Sequence, residues 1–154
     1  MNCDSALFYE ATNSFDAYGN VHMNQGDTVL LDSEVFYYNG TDRLARARHY
    51  VVLKHGTMTI YTDSLDYDRL YNLGYFFEGG RVLDHDNELT SDWGEYSPVT
   101  HEAVFNYNVR LVNPAPPARP QTILISDTLH IAKSVASVSA HACKITIKAR
   151  FLYH

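Results

Sequence analysis

The chain has 154 residues, 45% of them apolar and 19% charged, with a formal net charge of −6. A chain of this length buries roughly 70% of the surface its unfolded form exposes, so neither a metal nor a disulfide is needed to hold it. The composition is that of a globular chain and not a disordered one, and no apolar run approaches the roughly 20 residues that cross a bilayer as a helix.

Twelve Tyr and seven Phe stand against a single Trp. Aromatic rings pack well on a pleated, half-buried surface and favour strands. The start, Met1-Asn2-Cys3-Asp4-Ser5, lacks a basic region followed by an apolar stretch, so no signal peptide is expected and the protein is placed in a virion or the cytoplasm. In that setting Cys3 and Cys143 are expected as free thiols. The charge is unevenly spread. Residues 1–102 carry six Lys/Arg against seventeen Asp/Glu, whereas residues 103–154 carry six Lys/Arg against Asp127 alone.

In chain order, residues 6–10 read as a first strand, followed by a polar stretch to Asp27 with Gly19-Asn20 and Asn24-Gln25-Gly26-Asp27 as turn signals. Residues 28–38 form a second strand, closed by Asn39-Gly40. Asp42 with Leu44, Ala45, Arg46, Ala47 and Arg48 suits one or two helical turns. Residues 49–54 and 57–62 make a hairpin around His55-Gly56. Residues 64–73 are the other helix candidate, with Asp63 as cap, Leu65, Leu70 and Leu73 as apolar positions and Gly74 as terminator. Residues 75–77 and 81–83 flank Glu78-Gly79-Gly80 as a further hairpin. The alternation of Phe105, Tyr107, Val109 and Leu111 with Asn106, Asn108 and Arg110 marks a strand over 103–112.

A stretch with four of the five prolines follows at 113–120, and polyproline-like extension is its natural state. Residues 122–125 read as a short strand and 127–140 as strand or extended loop. Residues 143–153 alternate without a break, Cys143, Ile145, Ile147 and Phe151 facing one way and Lys144, Lys148 and Arg150 the other. No internal repeat is visible at solenoid or propeller periods. The sum is a mainly β, single-domain chain over 1–154, an antiparallel β-sandwich or jelly roll with at most two short helices.

Chemistry is sparse. Asp84, Asp86, Glu88, Asp92 and Glu95 place oxygen donors at positions 1, 3, 5, 9 and 12 of a run, the spacing of a calcium loop. Leu89, however, stands where that loop needs Gly, and the flanks look like strands. Calcium is thus the one cofactor with a candidate site; otherwise none is expected. His85 and His101 are candidate acid/base groups, but no nucleophile elbow, zinc motif or phosphate loop accompanies them. The basic face of Lys144, Lys148 and Arg150, together with Trp93, is the interface candidate.

These features favour a non-enzymatic structural protein: a subunit packing against copies of itself or other structural proteins in a virion capsid, decoration or fibre component. Nucleic acid and membrane insertion are not expected. A carbohydrate- or calcium-binding module around Trp93 is the alternative, and a small β-fold hydrolase the third reading.

Overall fold

Period-two alternation governs nearly the whole described chain, and it builds antiparallel sheet. The computed structural model describes residues 1–26, 29–85, 87–97, 99–100, 102–113, 122–132, 135–140 and 143–147, with backbone alone at 113, 122–124, 132 and from 135 onward. The strands are β1 (Ser5–Tyr9), β2 (Ser14–Gln25), β3 (Val29–Asn39), β4 (Leu44–His55), β5 (Met58–Asp68), β6 (Leu73–Phe76), β7 (Gly80–Asp84), β8 (Asn87–Ser91), β9 (Trp93–Ser97), β10 (Glu102–Asn113), β11 (Thr122–Ala132), β12 (Val135–Ala140) and β13 (Cys143–Ile147). A three-residue 3-10 turn, Glu10–Thr12, is the helical element among the described residues. All strands belong to one sheet in the order β1-β2-β3-β4-β5-β6-β9-β10-β11-β12-β13, with β7 beside β5 and β8, and β8 beside β10.

The mainly β, antiparallel expectation holds, but the strands form one sheet folded along a crease. Most long strands change register at mid-length: between Tyr18 and Val21, Asp32 and Val35, Arg48 and Val51, and Asn106 and Val109. β6 and β7 are successive halves of one such rung, because both lie against β5. The expected hairpin at Glu78-Gly79-Gly80 is therefore a corner, where the chain bends and continues. β8 and β9 likewise share the rung beside β10, with Asp92 at their corner.

The corners repeat chemically. On β3, β5, β8 and β11 a hydroxyl donates to the carbonyl two residues on: Ser33 to Val35 (3.1 Å), Thr62 to Ser64 (3.1 Å), Ser91 to Trp93 (3.0 Å) and Ser126 to Thr128 (2.8 Å). An acidic residue follows each hydroxyl: Glu34, Asp63, Asp92 and Asp127, the first three spaced 29 residues apart. The intervening corners use left-handed backbone at Gly19-Asn20, His49-Tyr50, Gly79 and Tyr107-Asn108. Outside Gly this conformation costs about 1–2 kcal/mol per residue. Carboxylates at three of these corners offset it. Asp63 accepts from the Tyr50 N–H at 3.1 Å, Asp92 from the Asn108 amide at 2.7 Å and Asp4 from the Asn20 amide at 3.0 Å. The chain thus has an internal two-strand repeat, contrary to expectation. It escapes a sequence comparison because Gly-Asn, His-Tyr and Tyr-Asn share a backbone conformation and not a residue type.

Both helix candidates are strands. Over 42–48, Asn39 takes the N–H groups of Thr41 and Asp42 on its side chain, which makes a turn and leaves Asp42 no helix to cap. Ala45 and Ala47 then face inward, while Arg46 and Arg48 meet Asp66 on the outer face. Pairing on both sides outweighs helix propensity here. Over 64–73, Leu65 lies in β5, but Leu70 sits exposed in a turn where Asp68 accepts the N–H groups of Leu70 and Tyr71. The polar stretch expected over 11–27 is mostly β2, whose Ala17 and Val21 are fully buried. The hairpin at His55-Gly56 is as expected, with His55 opposite Met58.

Candidate functional site

Because the rungs bend at mid-length, their two halves present their inward faces to each other across an apolar trough that side chains largely fill. On one half, cross-strand neighbours run Phe15, Tyr38, Ala45, Tyr67, Gly74, Tyr96, Ala103 and Ile131. From Tyr38 onward large and small residues alternate, so rings fill the space above their small neighbours. On the other half the row is Met23, Leu31, Leu53, Ile60, Val82, Leu89 and Leu111, aliphatic throughout.

Two buried clusters result. Ala17, Val21, Phe36, Ala47, Val51 and Leu65 form one; Ile60, Phe76, Val82, Leu89, Ala103, Phe105, Val109, Leu111, Leu129 and Ile131 form the other. Leu53 packs against both, so the apolar interior runs unbroken from β2 to β11. Within the second cluster lies an apolar cavity of about 30 Å³, bounded by residues such as Met58, Ile60, Phe76, Val82, Ala103 and Phe105. Tyr96 sits at its wall, and burial raises its hydroxyl pKa above the ordinary phenol value.

The polar groups serve the walls. Asp66, 5% exposed, lies between Arg46 and Arg48 on the outer face, and Arg48 also stacks on Phe77 at 5.3 Å. Arg81 pairs with Glu88 at 2.7 Å. That hydrogen bond holds the Glu88 carboxyl below its usual range and raises Arg81.

The described residues of the acidic run do not meet. Asp84 is buried at the end of β7, accepting from Thr57 at 2.6 Å and facing the His85 ring at 3.0 Å. Glu88 is engaged by Arg81, Asp92 closes a corner, and Glu95 lies beyond that corner beside Tyr75. Asp86 and His101 lie outside the described residues. Among the described residues no three His, Cys, Asp or Glu side chains could hold a metal ion. Trp93 is half-buried in β9, opposite Asn106. Lys144 falls on β13, which pairs with β12, while Lys148 and Arg150 lie outside the described residues. Sequence reasoning overlooked Phe76, Gly80 and Gly94. Their signal was present in the two Gly-containing breaks, but one resembles a hairpin turn and the other an acidic loop until the pairing is known.

The fold is similar to that of LptH, the LptA-homologous periplasmic component of the conserved lipopolysaccharide transport device from Pseudomonas aeruginosa. The TM-score is 0.63 at 12% identity, over 81% of this chain and 92% of that one. No curated protein is similar in sequence. The model that matches residues 1–117 is the one described as OstA-like protein. Together these overturn the virion capsid, decoration and fibre reading, and with it the placement in a virion or the cytoplasm. That reading rested on fold-level analogy among β proteins, which carries no function of its own. With well over half its length matched, the chain belongs to the OstA-like protein family.

Proposed function

We propose that this chain is a non-enzymatic carrier in a lipopolysaccharide transport device of the periplasm, holding the apolar part of lipopolysaccharide in its trough. The observation that carries the reading is the unbroken apolar interior from β2 to β11, enclosed by two halves of one bent sheet. Family membership and the likeness to LptH support it. Burial of apolar area supplies the affinity, about 0.8 kcal/mol per methylene removed from water.

Partners join at strand edges. β1 pairs with β2 on one side, and among the described residues no strand lies along its other edge, which offers a place for a further strand from a second copy or another protein of the device. Leu7, Phe8 and Tyr9 are 56%, 66% and 44% exposed there, more apolar surface than an unpartnered edge strand usually shows.

The test is calorimetric titration with purified lipopolysaccharide and, in parallel, with the same material stripped of its acyl chains. Saturable binding of the intact form alone is expected. Equal binding of both, or of neither, contradicts the reading.

A further inference from the structure

The corner positions facing the trough are Val21, Val51 and Val109 on three rungs, but Gly80 on the rung formed by β6 and β7. A Cβ built on Gly80 collides with the Phe76 ring. One rung further, Gly94 stands directly between Phe76 and Phe105, where a Cβ would lie 2.5 Å from Phe76 and 2.9 Å from Phe105. Two glycines therefore let one phenylalanine ring lie back against the sheet. The cavity of about 30 Å³ opens beside that ring. Its walls are chiefly apolar and offer ordered water few partners.

We propose that this recess is the seat for the terminal end of one acyl chain, with Gly80 and Gly94 as the specificity-determining residues. The proposal rests on the carrier reading and adds a position to it. Its chemistry is that of an unbranched alkyl chain, whether from lipopolysaccharide or from a free fatty acid. A chain end entering here gains contact with Phe76, Phe105, Ile60 and Val82 without displacing ordered water. A side chain at either glycine pushes the ring into the space the chain needs. The alternative role for Phe76 is structural alone, covering exposed glycine backbone.

The full chain, carrying 4-fluorophenylalanine at Phe76, is titrated with tetradecanoate in one arm and lipopolysaccharide in the other, followed by fluorine resonance and calorimetry. The Phe76 resonance should move on saturation in both arms. Ala103→Val, which fills the cavity, should weaken tetradecanoate about fourfold for each methylene excluded. Gly94→Ala should do the same, and Phe76→Leu in that background should restore binding. Ile125→Ala, on the outer face, should leave it unchanged. A fluorine resonance that stays put while binding proceeds, or full affinity in Ala103→Val, overturns the seat and leaves the carrier reading standing. Movement with tetradecanoate alone overturns the lipopolysaccharide source. If neither ligand binds, carrier and seat fall together.

Discussion

The two apolar clusters of the trough are built on the same two-strand repeat, yet they are filled differently. The cluster nearer β1 has Val21 and Val51 at its corners and small alanines beneath Phe36. The cluster nearer β11 replaces one corner valine with Gly80, lays Phe76 over it and keeps a cavity. Close packing is the norm in protein interiors, so a void beside a ring seated on two glycines is a departure from the repeat that surrounds it. The lesson is that the repeat supplies the scaffold, and its one irregular rung supplies the candidate seat. Hydrogen-bonded corners make that division possible, because they hold the bend without relying on the corner side chain for packing.

The comparison can be broken most severely at Leu89, fully buried opposite Val82 and Leu111. Leu89→Ala should lower unfolding free energy by about 2–5 kcal/mol in urea titration. A loss near zero would mean that the second cluster is loose throughout, not at one recess. Gly80→Val, which makes the irregular corner like the others, should cost about 1–3 kcal/mol by overpacking against Phe76. Phe76→Leu should recover part of that loss in a double-mutant cycle. Additive effects would show that Phe76 and Gly80 are independent. Asp63→Ala removes the acceptor for the Tyr50 N–H and should cost about 1 kcal/mol. Asp92→Ala should cost a similar amount, since the same corner design serves both clusters.

The smallest effect belongs to the outer wall. Glu88, paired with Arg81, has a lowered pKa in the folded state, so its contribution is present above the unfolded carboxyl range and lost as pH falls through the folded value. Both side chains are substantially exposed, so Glu88→Gln should cost under about 1 kcal/mol at neutral pH and flatten the acid limb of a stability–pH curve. An unchanged acid limb would mean that other carboxylates set it.

Much of the sheet was legible in the sequence. The alternation of β10 on either side of its Tyr107-Asn108 corner, the Asn39-Gly40 turn and the His55-Gly56 hairpin follow from local chemistry, whereas Tyr107, expected on the inward face with Phe105, is exposed. The helices expected at 42–48 and 64–73 failed because the helix propensity of Leu44, Ala45, Arg46, Ala47 and Arg48, and the spacing of Leu65, Leu70 and Leu73, are overridden by cross-strand pairing and the turn at Asp68. The trough was not legible. Its inward residues look like any buried strand face, and only the left-handed corners, invisible to residue type at His49-Tyr50 and Tyr107-Asn108, turn one sheet back upon itself. The expected shell subunit failed for a related reason: Tyr-rich strands and segregated charge describe a β surface and leave its use open.

The most direct measurement is a methyl-resolved NMR titration of the full chain with lipopolysaccharide, with Ile, Leu and Val labelled. The account predicts that inward methyls of Leu53, Ile60, Val82, Leu89, Val109 and Leu111 shift together and saturate, while the exposed Leu30, Leu70 and Ile125 stay fixed. Shifts confined to the exposed methyls, with the interior unmoved, would contradict it.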